Sequence, residues 1–324
     1  MSAIRTSGPL ASPVARFAAR RAGRMVVVLA GLVVATFAIV RLIPGDPGRR
    51  ILGLRADADA VAQLNAQLGL NGSLPHQFGS YLSDLANGDL GRSFQTSEAV
   101  TTVIGERLGS TLQLLVLAMA IVLLVGIPAG LVAGVALRGR HGWGETAWSA
   151  TTGVLGVLPH YVMATFLAFV FAVTLRWLPV AGSGPWDAAI LPAVAIALAP
   201  AAHVARLVRV ETAGALEQEY MTAARSKRLS RLRLYGAHVA PNVLTAALTL
   251  SGVILAALVS GAVVVEQVFA RPGIGSALVQ ALLVQDYPVV QGITLLIGTI
   301  VVVANALVDL ALGLADPRVL EAGA

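Results

Sequence analysis

Apolar residues in this chain gather into long uncharged runs, unlike the three-and-four spacing of a surface helix. Six runs reach the length of about 20 residues needed to cross a bilayer. They are Met25–Ile43, Thr111–Leu137, Ser149–Leu175, Ala188–Ala205, Val243–Val265 and Val289–Leu314. A chain in hydrocarbon must satisfy its own backbone hydrogen bonds, and the runs are too long and too unalternating for barrel strands, so each predicts an α-helix. Between the first two runs, from Pro44 to Ser110, the pattern turns amphipathic. Asp57 can N-cap a short helix with Val61, Leu64 and Leu68 on one face and Gly69 at its end. A second such helix begins at Pro75 and aligns Phe78, Leu82 and Leu85; a third comes after Ser97 and aligns Val100, Val103, Ile104 and Leu108.

Composition agrees with this pattern. The chain is 56% hydrophobic and 12% charged, whereas soluble domains average roughly 45–50% and 25%, so one protein core cannot bury its apolar surface. Cysteine is absent, which excludes disulfides, thiolate catalysis and Cys-based metal sites. Arg16, Arg20, Arg21 and Arg24 lie just ahead of the first run. That run exceeds the length of a secretory h-region and no Ala-x-Ala site comes after it, so an uncleaved anchor is expected, with Arg41 snorkelling to the far interface.

The net charge of +6 reads as topology rather than as affinity for nucleic acid. The N-terminus, the turn Arg138–Trp148, the loop Arg206–Pro241 and the C-terminus hold 15 Lys and Arg, and the opposite segments hold seven, five of them in one long loop. Both termini are therefore expected in the cytoplasm. The chain divides into a cytoplasmic segment 1–24, a first membrane helix 25–43, an external loop 44–110, a five-helix core 111–314 that includes the loop 206–241, and a cytoplasmic tail 315–324.

Within the runs, His160, His203 and Asp309 are the ionisable candidates, too few for an ion relay. His203 reads as structural or interfacial, His160 as either pore lining or helix packing, and Gln113 as a packing contact. Gly126-Ile127-Pro128, Pro159, Pro192 and Pro200 interrupt backbone hydrogen bonding and suit helices that bend to open a pathway, although membrane helices carry extra Pro and Gly in any case.

The segment Glu219–Leu234 is different in kind. It is basic, with Arg225, Lys227, Arg228, Arg231 and Arg233 downstream of Arg209, and it places small residues at Ala223 and Ala224. As a helix it puts Tyr220, Ala223 or Ala224, and Lys227 on one side. Attraction to anionic lipid would account for the charges; a docking element would also account for the alanines and the order of residues.

Motifs along nearly the whole chain carry a resemblance. Glu219, Tyr220, Ala224, Arg225, Lys227 and Leu229 match a pattern close to (D/E)YVxTARAKGL, and His238 and Asn242 fit a later HALRN-like stretch. LIPGDP at Leu42–Pro47, LGL at Leu68–Leu70, GDLGRSF at Gly88–Phe94, WLPVAG at Trp177–Gly182, VFARPGIG at Val268–Gly275, DYPVVQG at Asp286–Gly292 and DPR at Asp316–Arg318 are similar to the same family, in order. The chain resembles the permease subunits of ABC importers in the branch that takes up dipeptides, oligopeptides and nickel. Arg228 departs from the glycine usual there, which would permit a turn between two short helices, and Pro241 replaces a residue that is commonly basic.

The resemblance implies an all-α integral membrane protein with six transmembrane helices, a long external loop after the first and a cytoplasmic coupling-helix loop between the fourth and fifth. It implies that Glu219, Tyr220, Ala223, Ala224, Arg225, Lys227, Arg228 and Leu229 engage an ATPase, with Tyr220 and the alanines in its cleft and the cations meeting acidic residues or lipid headgroups. No G-x-x-x-x-G-K-[ST] loop occurs in the chain, so ATP and Mg would be bound by partner ATPases and no cofactor by this chain. The implied partners are a second homologous permease chain, two ATPase subunits, an external substrate-binding protein, membrane lipid and a short peptide substrate delivered from outside. The implied location is the cell inner membrane. Nickel chelates or other small solutes are the alternative cargo. An ion-coupled secondary transporter would show intramembrane acids and paired interrupted helices, and a membrane hydrolase would show a G-x-S-x-G elbow around a residue such as Ser251; neither pattern occurs.

Overall fold

The computed structural model describes residues 13–42, 47–53, 56–67, 72–139, 142–180, 186–218, 221 and 239–315. Among these the chain is helical almost throughout, and the sole bridge joins Arg92 to Ala99. In order, α1 spans Pro13–Leu42, α2 Pro47–Leu52, α3 Ala58–Gln67, α4 Leu74–Ala86, α5 Val100–Ala136, α6 Trp143–Val157 and α7 His160–Leu167. A π-helical segment, Ala168–Thr174, continues α7; then come α8 Asp187–Glu217, α9 Ala240–Val268, α10 Ile274–Val284 and α11 Tyr287–Ala315.

Five of the described helices are long and apolar enough to cross a bilayer, and the pair α6–α7 makes a sixth when counted as one bent span. That pair covers the run Ser149–Leu175, in which Pro159 was expected to interrupt the helix, and its halves meet at 102°. Pro159 has no N–H to continue the helix, and it forces Leu158 into an extended conformation at φ −62°, ψ 125°. Gly126-Ile127-Pro128, expected as a break, lies inside an uninterrupted α5, and Pro192 and Pro200 lie buried inside an uninterrupted α8. Packing on neighbouring helices holds these helices together where a hydrogen bond is missing.

The axis of the bundle is α8, which packs against α5, α6, α7 and α9. Most of its apolar stretch is buried, and almost none of that of α1, which lies against α11 at the edge. Small side chains make this possible. Ala189, Ala193, Ala197, Ala201 and Ala205 are buried along α8, so several helices approach its backbone at once. The closest approach is to α5, where Gly126, Gly130 and Gly134 recur every fourth residue on one face. A Cβ built on them would stand 2.9, 2.5 and 2.9 Å from the carbonyl oxygens of Ala201, Ala205 and Arg209. These glycines serve backbone contact, not bending.

Two helices outrun the membrane. At about 1.5 Å per residue, the 37 residues of α5 reach about 55 Å against a hydrocarbon thickness of about 30 Å. Its first turns absorb the third loop helix expected after Ser97, because Val100, Ile104 and Thr111 fall on one continuous buried face. Likewise α8 runs to Glu217, past the span end expected at Ala205, so the loop expected from Arg206 begins as helix. The described residues also hold two helices with no counterpart in the sequence pattern, α2 and the short α10. The N-terminus is helical from Pro13, upstream of the expected start at Met25.

At the end of the bundle that carries α2–α4, here the cap end, α4 leans on α1 through rings: Phe37 meets Phe78 at 5.1 Å and Tyr81 at 5.9 Å. Val61 of α3 is buried, and the Gly48 amide donates to the Asn65 side chain at 3.0 Å, tying α2 to α3. Exposed tryptophans, Trp143 at the start of α6, Trp177 after the π segment and Trp186 before α8, flank the apolar stretches as interfacial anchors do. Two apolar cores result. The larger gathers α5, α7, α8 and α9; the smaller, at the cap end, gathers Val100, Ile104, Ile274, Ala277, Val290 and Ile293.

Candidate functional site

All eight proposed coupling residues, Glu219, Tyr220, Ala223, Ala224, Arg225, Lys227, Arg228 and Leu229, lie outside the described residues, as does His238. Their flanks are described. Met221 is fully buried in the larger core, and so is Val239, where the chain returns into α9. Met221, just past α8, and Val239, at the start of α9, are thus both packed into the main core. Ion pairs brace the far end of α8. Arg209 of α8 donates to Glu145 of α6 at 2.6 Å, and Arg138, after α5, stands 3.7 Å from Glu217. The sequence counted Arg209 among the cations of a docking surface; here it is engaged within the chain and holds α6 to α8.

At the cap end the chain builds a buried polar knot. Glu266, in the last turn of α9, is fully buried. Its carboxylate accepts the Thr111 hydroxyl of α5 at 2.6 Å and the Ser276 amide of α10 at 3.0 Å. Thr111 in turn accepts the Ile274 amide at 2.9 Å, and the Ser276 hydroxyl accepts the Gly273 amide at 3.1 Å and donates to the Gly273 carbonyl at 2.8 Å. An acid at the first turn of α10 satisfies otherwise orphaned amides and complements the helix dipole. Gly273 and Gly275 lie against this carboxylate with no room for a Cβ. Nearby, buried Arg271 donates to Gln113 at 2.7 Å, and its second contact is the Ser110 carbonyl at 3.4 Å. Burial pulls the Arg271 pKa down from its ordinary value and the Glu266 carboxylate pushes it back up.

A second carboxylate acts beyond the other end of α10. Asp286 accepts the Ser93 hydroxyl in a short contact and the Phe94 amide at 3.0 Å, and the Phe94 ring meets Tyr287 edge-on at 6.3 Å. Two motifs far apart in the chain, Gly88–Phe94 and Asp286–Gly292, thus form one contact. A third, Val268–Gly275, forms the turn around Glu266. Leu42–Pro47, Leu68–Leu70 and Asp316–Arg318 lie largely or wholly outside the described residues.

The ionisable set read from the sequence needs correction. Glu266 was missed because the fifth apolar run was closed at Val265; the helix continues to Val268 and carries the acid into the protein. An acid directly ending an apolar run, with Gly-x-Gly-Ser seven to ten residues on, was the available clue. His160 lies against Gly261 of α9, whose Cβ would stand 3.2 Å from the ring, and His203 lies equally close to Gly156 of α6. Each thus faces a glycine of a neighbouring helix, His160 partly buried and His203 exposed. The Asp309 side chain lies outside the described residues. Gln113 is the acceptor for Arg271, a structural contact as expected.

Apolar helices around an alanine-rich axis, with polar groups gathered at the two ends, define a multi-pass α-helical membrane protein. Comparison with known proteins specifies it further. Residues 126–321 match the family described as "Binding-protein-dependent transport system inner membrane component", and residues 14–115 match the N-terminal family of the same system's membrane component. The chain belongs to this family of transport permeases. It is 39% identical over 309 residues to a protein named as a peptide transport system permease of Brucella abortus (strain 2308), covering 93% of this chain and 97% of that one. It is 32% identical over 336 residues to a dipeptide transport system permease of Alkalihalophilus pseudofirmus, covering 94% and 98%. It is 35% identical over 287 residues to a glutathione transport system permease of Shigella flexneri serotype 5b, covering 88% and 92%.

Proposed function

We infer that this chain is the membrane-spanning subunit of an ATP-driven importer of short peptides, and that it forms half of the translocation pathway. The observation that carries this reading is continuous similarity, over 93% of the chain, to a permease named for peptide transport. The dipeptide and glutathione names of other relatives favour peptides over nickel chelates, and family membership displaces the secondary-transporter reading.

Transport in this reading is divided among subunits. A second permease chain completes the pathway, an external binding protein delivers peptide at the cap end, and two ATPases hydrolyse ATP below the membrane. Both termini face the cytoplasm, in line with the distribution of Arg and Lys. Glu219, Tyr220, Ala223, Ala224, Arg225, Lys227, Arg228 and Leu229 meet the ATPase. Tyr220, Ala223 and Ala224 enter its cleft, and the cations meet acidic residues. Support comes from buried Met221 and Val239, which fix both ends of the segment to the main core beside α8. Motion of an ATPase bound there would pass into α8 and, through its glycine contacts, into α5.

Tagging the chain at its C-terminus, extracting it in mild detergent and identifying co-purifying proteins by mass spectrometry tests the reading. A second multi-span permease with one or two ATPases is expected. The chain recovered alone across several detergents would overturn it.

A further inference from the structure

We propose that the slot between α5 and α6 holds one acyl chain of an anionic phospholipid of the cytoplasmic leaflet, with the phosphate taken up by the turn that begins at Arg138. Its placement in that leaflet uses the orientation given above; the site itself does not depend on what the protein transports.

Both α5 and α6 pack on α8, and between their facing sides an open cavity of about 620 Å³ remains. Pro128, Ala129, Val132 and Ala136 line it from α5, and Ala147 and Trp148 from α6. Water finds few polar partners in such a slot, and a gap left at membrane depth forfeits the contacts that hold a packed structure together. An apolar occupant is required.

Shape decides which. From Pro128 to Leu137, nine steps along α5, the slot runs about 14 Å at about 1.5 Å per residue, and one leaflet of hydrocarbon is about 15 Å deep. At the cytoplasmic end the turn joins the two helices, and a Cβ added to Gly144 would stand 3.4 Å from a Leu137 methyl. A slot one leaflet long and closed at one end suits a lipid tail. A partner's spanning helix, about 10–12 Å across, needs a wider channel open at both ends.

Charge at the closed end selects the headgroup. Arg138, Arg140 and His141 come together in the sequence there. Arg138 meets Glu217 through Nε at 3.7 Å, a long contact, and its side chain stays 30% exposed. A guanidinium so placed suits phosphate oxygens, and the cytoplasmic leaflet is the anionic one. Trp143, at the start of α6 and 87% exposed, marks the headgroup level. A lipid seated here braces α5 against α6 at the end where Arg209 already ties α6 to α8.

The slot can be observed through its own indole, because Trp148 is the one tryptophan of four that lines it. Trp143, Trp177 and Trp186 are replaced by Phe, and the full chain is placed in phosphatidylcholine nanodiscs containing bromine-labelled phosphatidylglycerol or phosphatidylcholine, since bromine quenches an indole on contact. Half-quenching is expected at about one-fifth the mole fraction for phosphatidylglycerol, as each cation near an anionic headgroup is worth about fivefold. Arg138→Gln should abolish this preference, and Ala136→Phe should shield Trp148 from both lipids. Val116→Phe, on an exposed face of the same helix outside the slot, should change nothing. Equal quenching by the two lipids would mean ordinary boundary lipid and overturn the proposal. Where the Phe replacements disturb folding, native mass spectrometry of the unsubstituted chain serves, with one phosphatidylglycerol retained per chain expected and none with Ala136→Phe. The same measurement on the assembled transporter tests the rival occupant. Lipid held by the lone chain but lost on assembly would give the slot to the partner permease and overturn the proposal. An assembly that never forms counts against the importer reading instead, and the lone-chain result still decides the site.

Discussion

Replacing Gly130 by alanine tests the packing that joins α5 to α8. The added Cβ would stand 2.5 Å from the Ala205 carbonyl oxygen and 2.6 Å from the Val208 Cβ, where unstrained contacts lie at about 3.5–4.0 Å. The nearest atom is backbone, so no rotamer change relieves it, and the helices must part by about 1 Å along a seam that Gly126 and Gly134 share. Overpacking of this order costs about 1–3 kcal/mol, and alanine returns at most about 1 kcal/mol through its helix propensity. The net expectation is a loss of about 1–2 kcal/mol. The same helix contains its own control, because a Cβ at Gly105 or Gly109 meets nothing within 4 Å. Alanine there should leave stability unchanged or raise it, and Gly126→Ala, with its looser contacts, should fall between. Denaturant or thermal unfolding of the purified chain in one detergent gives the ranking. Gly130→Ala as stable as Gly105→Ala would refute the reasoning, since the two differ only in what their Cβ atoms meet.

Other consequences concern the two ends of the bundle. Glu266→Ala leaves the Thr111 hydroxyl and the Ser276 amide buried without their acceptor, at about 1–3 kcal/mol for each; it should lower the unfolding midpoint well below that of Glu266→Gln, and equal midpoints would argue against the knot. Arg209→Ala should cost no more than about 1 kcal/mol, because its pair with Glu145 is partly exposed; a double-mutant cycle with Glu145→Gln reads the coupling, and a coupling of zero would contradict a bracing role. Ala223→Leu with Ala224→Leu should abolish uptake while the chain still inserts and its ATPases still hydrolyse ATP; normal uptake with the ATPase bound would remove these alanines from the coupling surface.

The spans were legible because an uncharged run of about 20 residues is a local property and burial in lipid asks little more of it. What the sequence did not disclose depends on distant partners. Gly126, Gly130 and Gly134 stand in plain view at a spacing of four, yet Gly126 reads as a breaker and the other two draw no notice until the Ala201, Ala205 and Arg209 carbonyls are seen beside them. Pro159 breaks its span and Pro128 does not, a difference that residue type alone does not announce. With 11 residues, α10 is too short to announce itself as a span, and its carboxylate supports belong to residues far away in sequence, Thr111 for Glu266 and Ser93 for Asp286. The assignment of Glu219–Leu229 to coupling rests on the sequence motif, because a surface shaped to fit a partner leaves its partner's half outside the chain.

Peptide uptake into proteoliposomes measures the central claim most directly. The chain is reconstituted with its co-purifying permease and ATPases, and labelled di- and tripeptides are offered with the binding protein outside and ATP within. Uptake that requires both ATP and the binding protein is the expected result. Uptake driven by an ion gradient without ATP, or none for any peptide while another solute is imported, would contradict the account.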